Sequence, residues 1–159
     1  MRGERIFAPR TFLDQSSVSS RSQENEIMET KNFSHGVGQN AFHLIWKPKW
    51  CWDPFKFSPV RKDCEIILTE AVLRYGMTLY ALEVMPYHIH CFVELPPTMS
   101  VSQALNFLKG YSSYKLFRKH EWLRKYFRTG HLWSPGKFFR SVGSVTAEAI
   151  TKYIEETNK

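Results

Sequence analysis

The pattern of apolar and polar residues predicts alternating strands and helices. Residues 41–47 are rich in large apolar side chains, which is typical of a strand. Ser58 and Pro59 then form the pattern of an N-cap followed by proline at the first helical position. Apolar residues recur at helical spacing over positions 60–72, and Gly76 follows. The first two predicted elements are therefore a strand and a helix.

The second half of the chain continues this alternation. Residues 78–84 predict a strand, and a tight link at 85–87 joins it to a third strand that stops at two prolines. Ser100 or Ser102 is expected to cap a long helix. The last predicted elements are a strand over residues 133–142, broken at Pro135 and Gly136, and a terminal helix over residues 146–157.

The third strand carries two histidines one residue apart. Side chains alternate between the two faces of a strand. One face therefore holds His88, His90, Phe92 and Glu94, and the other holds Ile89, Cys91, Val93 and Leu95. Two imidazoles at neighbouring positions of one face are close enough to hold one metal ion, although two surface or hydrogen-bonded core histidines give the same pattern.

The order of elements and the one-sided apolar strands predict the fold class. They favour an α+β, ferredoxin-like split β-α-β sheet with helices on one face and an open face on the other. The histidine strand is then central, and its two histidines lie on the open face. Residues 1–33 are polar and lack a sustained apolar period, so we expect a flexible or weakly ordered extension before a domain over residues 34–159.

Positive charge is concentrated in the predicted domain. Residues 41–159 contain 17 Lys and Arg against 10 Asp and Glu, which accounts for the whole net charge of +7. Between positions 109 and 128, seven basic residues are interleaved with aromatic ones and opposed only by Glu121. Basic charge binds phosphate and aromatic faces stack on unpaired bases, so this segment favours a polyanionic partner. The alternative is a solvated helix face whose aromatic residues fill the core.

Cysteine usage and hydropathy bear on the compartment. Cys51, Cys64 and Cys91 are scattered and odd in number, which suits a reducing cytoplasm better than secretion. No apolar stretch is long enough to span a bilayer, and the N-terminus lacks a signal-peptide pattern. We therefore expect a cytoplasmic protein without a membrane partner.

The terminal helix carries a tyrosine beside its packing stripe. Ala147, Ile150 and Ile154 form the stripe, and Tyr153 lies on the neighbouring ridge. Its hydroxyl is therefore predicted to be free to reach outwards. The alternative is an ordinary amphipathic tyrosine at a helix edge.

Two histidines on a strand followed by a tyrosine on a downstream helix form the pattern of HUH nucleases. The chain resembles one family of them more closely, the insertion-sequence-200-like, single-tyrosine HUH transposases. The resemblance runs in order from about residue 34 to residue 157. Its blocks are residues 34–35 (SH), 42–49 (FHLIWKPK), 82–90 (LEVMPYHIH), 108–113 (LKGYSS), 132–136 (LWSPG), 141–145 (SVGSV) and 151–155 (TKYIE).

The resemblance implies a homodimer that performs DNA transposition by cutting and rejoining single-stranded DNA at hairpin-bearing element ends. It implies that His88 and His90 hold Mg²⁺ or Mn²⁺, and that Tyr153 is the nucleophile that forms a 5′-phosphotyrosine. In the family this tyrosine commonly serves the histidine pair of the other subunit, which makes the sites composite. The candidate DNA-binding residues are Lys47, Lys49, Lys109, Lys115, Arg118, Lys119, Arg124, Lys125, Arg128, Arg140 and Lys152.

Two positions depart from the family pattern. Family members usually carry Asp where this chain has Tyr87. A Gln four residues after the tyrosine commonly supplies a third metal ligand, and this chain has Thr157 there, with a weaker and shorter donor. Glu156 is the alternative ligand, and Asn158 is a further one. His43 is expected to be structural.

Two other functions compete with an active transposase. The substitution at Thr157 is compatible with a binding protein of the same fold that no longer cuts DNA. A ferredoxin-like RNA-binding module would read bases by stacking on its open sheet face. Such a module would carry aromatic residues rather than His88 and His90 at the centre of the strand, which counts against it.

Overall fold

The computed structural model describes residues 31–33, 36–143 and 152. Two short antiparallel strands, β1 (Lys31–Phe33) and β2 (Gly36–Gly38), lie at the junction between the predicted extension and the predicted domain. Residues 1–30, which make up most of that extension, lie outside the described residues.

A four-stranded antiparallel sheet forms the centre of the molecule. Its strands are β3 (Ala41–Trp46), β4 (Thr78–Val84), β5 (Ile89–Glu94) and β6 (Phe138–Val142), in the order β4-β5-β3-β6. Helix-containing connections join β3 to β4 and β5 to β6, while a tight hairpin joins β4 to β5. This is the ferredoxin-like arrangement. The predicted α+β fold class is confirmed.

The first helix, α1 (Ser58–Arg74), begins one residue before the predicted start. Phe57 occupies the N-cap position and Ser58 is already helical. Pro59 is tolerated because the first N–H groups of a helix have no intrahelical acceptor. After the helix, Gly76 adopts φ +71°, a conformation that costs glycine little and favours termination there.

The second helix, α2 (Val101–Lys119), has a capping box that selects between the two predicted caps. Ser100 Oγ accepts the Gln103 N–H at 3.2 Å, and Gln103 Oε1 accepts the Ser100 N–H at 2.9 Å. These two bonds satisfy donors that the first helical turn would otherwise leave unpaired. Ser100 is therefore the cap, and Ser102 is a helical residue.

The two faces of the sheet have different roles. Ile89, Cys91 and Val93 of β5 are buried in the main core together with apolar residues of α1 and α2. The opposite face of β5 carries His90, Phe92 and Glu94, as the alternation predicted. These side chains pack with others of the same face, including a short hydrogen bond from the Tyr80 hydroxyl to Glu94 Oε2 at 2.5 Å. The apolar face therefore forms the core, while the polar face positions the histidines.

The last predicted strand is shorter than expected. β6 begins at Phe138, and Trp133 instead forms an isolated bridge with Pro48. Pro135 lacks the N–H that a continuous ladder needs, and Gly136 N–H turns back to Ser134 Oγ at 3.3 Å. A one-turn helix, α3 (Leu123–Tyr126), precedes this segment. The predicted terminal helix lies outside the described residues except for Lys152, which is helical.

No helix in the described part of the chain is long and apolar enough to cross a bilayer.

Candidate active site

The two predicted histidines meet where β5 begins. The strand starts at Ile89, one residue later than predicted, because the Met85 N–H donates to the His88 carbonyl at 2.9 Å and closes the link before it. His88 Nε2 and His90 Nε2 are 2.7 Å apart, and their rings are nearly perpendicular at 76°. Since metal–nitrogen bonds are about 2 Å long, only a small movement separates this contact from two nitrogens facing one ion.

A third histidine, His43 on β3, lies behind the pair. Its Nε2 is 3.0 Å from His90 Nδ1, and its ring stacks on Phe92 with a centroid distance of 4.1 Å. A histidine that coordinates through Nε2 carries its proton on Nδ1 and needs an acceptor there. His43 is placed to be that acceptor, so this residue, expected from the sequence to be structural, contacts the histidine pair directly.

Burial keeps His43 and His90 neutral. The pKa of His90 is lowered from 6.5 to about 4, mainly by burial and then by the charge of His88. The pKa of His43 is likewise lowered to about 4, by burial first, then by His90 and Arg140. Both imidazoles therefore keep a lone pair at neutral pH, which is the state that metal coordination requires.

Glu83 on β4 adds a carboxylate to this face. It lies directly opposite His90 in the antiparallel register, so the two side chains are on the same side of the sheet. Its Oε2 is buried and has no hydrogen-bond partner within the described part of the chain. A buried carboxylate oxygen without a donor is unfavourable unless a cation or a donor compensates it. The uncompensated oxygen of Glu83 and the neutral imidazole of His90 therefore suit a divalent cation on this face of the sheet.

The donor set is incomplete in residues 36–143. No group of three His, Cys, Asp or Glu close enough to hold a metal ion is present there. The predicted nucleophile Tyr153 and the candidate third ligands Thr157, Glu156 and Asn158 lie outside the described residues. Their place relative to the histidine pair stays a prediction.

One predicted DNA-binding residue lies on the histidine face itself. Arg140 on β6 is paired with His43 in the register of β3 and β6, and its side chain is exposed. Its charge contributes to lowering the pKa of His43. A phosphate drawn to Arg140 would therefore approach the sheet beside the histidines.

A second group of predicted DNA-binding residues lines a cleft of about 610 Å³ between α2 and residues 130–135. Lys49, Lys109 and Arg124 contribute positive charge to its walls. Lys109 is half-buried and donates to the Ser134 carbonyl at 2.7 Å. Burial and the nearby Lys137 lower its pKa below the ordinary value. Lys49 and Arg124 are therefore better placed than Lys109 to meet a phosphate.

The remaining predicted basic residues are divided between two environments. On α2, Lys115 lies 3.7 Å from Glu70, and Lys119 lies 2.6 Å from Asp63, both on α1. These contacts tie the two helices together and compensate part of the positive charge. Arg118 donates to the hydroxyl of Tyr114 at 2.6 Å, within α2. The other predicted DNA-binding residues that are exposed include Lys47, Lys125, Arg128 and Lys152.

Sequence reasoning did not single out Glu83 and did not anticipate the contact of His43 with the histidine pair. Both depend on strand register, which aligns residues that are far apart in sequence. The one available signal was that both residues lie inside blocks of the family resemblance, residues 82–90 and 42–49.

Comparisons with known proteins agree on one family. A family model described as "Transposase IS200 like" matches residues 37–157. The chain is 29% identical over 128 residues to the ISDra2 transposase TnpA of Deinococcus radiodurans, covering 80% of this chain and 91% of that protein. It is also 29% identical over 127 residues to the transposase for insertion sequence element IS200 of Salmonella typhimurium, covering 80% and 82%.

Two solved structures resemble the fold. A crystal structure of a transposase from Deinococcus radiodurans superposes with a TM-score of 0.66 at 28% identity, covering 79% of this chain and 96% of that one. A REP-associated tyrosine transposase bound to a REP hairpin gives a TM-score of 0.52 at 10% identity, covering 79% and 68%. The second likeness concerns the fold alone. Because the family model spans residues 37–157, this chain belongs to the IS200-like transposase family, whose members act in DNA transposition.

Proposed function

We propose that this protein cuts and rejoins single-stranded DNA at hairpin-bearing ends of its element, with a divalent metal ion and a phosphotyrosine intermediate. The observation that carries the proposal is the 2.7 Å approach of His88 Nε2 and His90 Nε2 in a member of a transposase family. A protein of the same fold bound to a REP hairpin supports the choice of a hairpin substrate.

His88 and His90 would hold Mg²⁺ or Mn²⁺ through their Nε2 atoms, with Thr157 or Glu156 as a third ligand. When bound, such an ion polarises the scissile phosphate and neutralises charge that develops on its oxygens. The protein contributes the neutral state of the His90 imidazole, which burial maintains. His43 contributes the acceptor that holds the proton of His90 on Nδ1.

Tyr153 would supply the nucleophile. Its hydroxyl oxygen attacks the phosphorus as the bond from phosphorus to the 3′ oxygen breaks. The phenol loses its proton and the departing 3′ oxygen gains one, so the products are a 5′-phosphotyrosine and a free 3′-OH. The new ester conserves the energy of the phosphodiester, so a second strand's 3′-OH can reverse the step without ATP. Since a phenol has a pKa of about 10, its deprotonation needs a nearby cation or base.

The sites would be composite within a homodimer. β6 is an edge strand of the four-stranded sheet. It exposes Phe138 and Phe139, at 56% and 51% of their surfaces. Large aromatic residues on an open edge strand favour pairing with another strand, and a second copy of the chain would bury them symmetrically. Tyr153 of one subunit would then serve the histidines of the other.

A second candidate function is DNA binding without cleavage. It is favoured by Thr157, which stands where the family commonly has a metal-binding glutamine. This form would retain the basic surface and the fold but would not activate the phosphate.

One experiment separates the two functions. The protein is incubated with Mg²⁺ or Mn²⁺ and a labelled single strand from the hairpin end of its own genomic flank, and an SDS-resistant adduct is measured. We expect an adduct with the wild type and none with Tyr153→Phe, while both bind the hairpin equally. Binding without an adduct in the wild type would support the second function, and Thr157→Gln would then be expected to restore cutting.

A further inference from the structure

Three large aromatic side chains are exposed together on the surface. Trp50, Trp52 and Tyr126 have 56%, 36% and 45% of their surfaces accessible. The ring centroids of Trp52 and Tyr126 are 4.1 Å apart. Trp50 stacks on the buried Phe127 with a centroid distance of 6.3 Å. We call Trp50, Trp52 and Tyr126 the aromatic platform. Neighbouring rings support it from below, so it is a preformed surface.

The backbone presents Trp50 in an unfavourable conformation. Its φ of 58° is the one positive value among the non-glycine residues that the structure describes, and bulky residues rarely adopt it. Two backbone hydrogen bonds anchor the loop. The Lys49 N–H donates to the Leu132 carbonyl at 2.8 Å, and the Ser134 N–H donates to the Lys47 carbonyl at 2.9 Å. Strain of this kind persists where the surrounding structure holds it, and it is concentrated at ligand-binding sites.

Charge and position indicate what the aromatic platform binds. Lys49 Nζ lies 5.1 Å from the Trp50 ring centroid, and Lys125 beside Tyr126 is exposed. An apolar protein partner would have to cover these charges, whereas nucleic acid supplies both flat bases and phosphates to match them. Trp46 is paired with Ile89, so the loop that carries Trp50 leaves the sheet at the end where the histidine strand begins.

We propose that the aromatic platform stacks unpaired bases of the single-stranded DNA that runs to or from the histidine site, with Lys49 contacting the adjoining phosphate. The proposal rests on the proposed function for its substrate. It adds a binding site for bases, outside the hairpin, to the site that performs the chemistry. Because every base offers a flat face, this contact should tolerate any sequence.

The test compares strands with and without bases. Anisotropy of the full-length protein is measured with an oligothymidylate of about 12 nucleotides and with an abasic strand of equal length. We expect the wild type to prefer the oligothymidylate by roughly tenfold or more, since stacking on aromatic side chains is strong for each base. Trp52→Ala should lose most of this preference and keep its affinity for the abasic strand.

Two further variants separate stacking from folding. Phe107→Ala is the matched control, because Phe107 is 37% exposed and stacks on Tyr75 at 4.3 Å but lies on α2 outside the platform. It should retain the full preference. Trp50→Asn removes the ring but supplies a residue that tolerates positive φ, so the preference should fall while thermal stability is kept.

Other results would overturn the proposal. Equal wild-type affinity for the two strands, or equal losses in Trp52→Ala and Phe107→Ala, would exclude base stacking on the platform while leaving DNA cleavage intact. Tighter binding of oligouridylate than of oligothymidylate would assign the platform to RNA. Failure of the wild type to bind either DNA strand would overturn the proposal together with the DNA substrate it rests on. The Tyr153 adduct assay tests cleavage separately from all of these outcomes.

Discussion

Replacing His43 with Phe removes one hydrogen bond and one titratable group from the candidate active site. A phenyl ring replaces the imidazole and should keep the stacking on Phe92, which is nearly parallel at 9° for His43. The acceptor 3.0 Å from His90 Nδ1 is lost. His43 and His90 are only 2% and 0% exposed, so solvent cannot replace that acceptor, and the loss should cost about 1–3 kcal/mol of folding free energy. Groups that orient a metal ligand typically change metal affinity by about 10–100-fold, so we expect a fall of that size in Mn²⁺ affinity.

The same substitution should change how stability responds to acid. The pKa of His43 is about 4 in the folded protein against 6.5 ordinarily, so between these values the unfolded chain binds a proton that the folded chain does not. Stability contributed by the neutral histidine is therefore complete above 6.5 and is lost as the pH falls towards 4, by about 1.4 kcal/mol per pH unit. Between pH 6.5 and about 5, His43 should account for a loss of roughly 2 kcal/mol, which His43→Phe removes.

Both effects are measurable in one preparation. Urea unfolding at neutral and acidic pH, in buffer with a chelator, gives the acid dependence, and calorimetric titration with Mn²⁺ gives the metal affinity. His43→Gln is the control, because its amide oxygen can accept the His90 proton but does not titrate. It should recover metal affinity while keeping the reduced acid dependence. Unchanged Mn²⁺ affinity in His43→Phe would refute the role assigned to this hydrogen bond.

Three further predictions concern the rest of the molecule. Desolvation opposes the charge of Asp63, but hydrogen bonds from Lys119 and His120 lower its pKa below 3.8. The charged carboxylate therefore stabilises the folded protein above pH 3.8, and this stabilisation disappears as the pH falls through the pKa of the folded state. Asp63→Asn should cost on the order of 1 kcal/mol at neutral pH and little in acid, which urea unfolding would show. Phe139→Lys should shift the sedimentation of the proposed homodimer towards the monomer, and an unchanged dimer would exclude β6 from the interface. Lys49→Ala should reduce the slope of log affinity for DNA against log salt concentration by about the amount expected for one phosphate contact. Lys115→Ala should lower it less, because its ammonium faces Glu70.

The parts of the fold that depend on local pattern were predictable. Helical spacing of apolar residues predicted α1, with Pro59 near its start and Gly76 after its end. The alternation in residues 88–95 placed His90 and Cys91 on opposite faces of the strand. Each of these features depends on neighbours within a few positions of the same segment. The choice of Ser100 over Ser102 required the capping geometry, since both residues satisfy the same sequence preference.

The contacts that complete the site were not predictable in the same way. His43 is 47 positions away from His90 in the sequence. Glu83 lies opposite His90 because of a separate pairing, that of β4 with β5. A shift of one residue in either pairing would move these side chains to the core face. The basic residues of α2 show the same limit, because only the packing of α2 on α1 reveals that Lys119 faces Asp63. The positive φ of Trp50 is likewise set by its anchored loop, and tryptophan itself does not favour it.

The two-histidine motif therefore specifies the candidate ligands but not their chemical state. His90 is neutral because β5 is central and its site face is buried. Its Nδ1 can carry the proton that coordination through Nε2 requires, because β3 places His43 as an acceptor beside it. Glu83 on β4 adds a carboxylate whose Oε2 is buried without a hydrogen-bond partner in the described part of the chain. Metal affinity should therefore respond to substitutions on β3 and β4 that leave both ligands in place. The same pair of histidines on an isolated exposed strand would be solvated and partly protonated, and would hold a divalent ion less well.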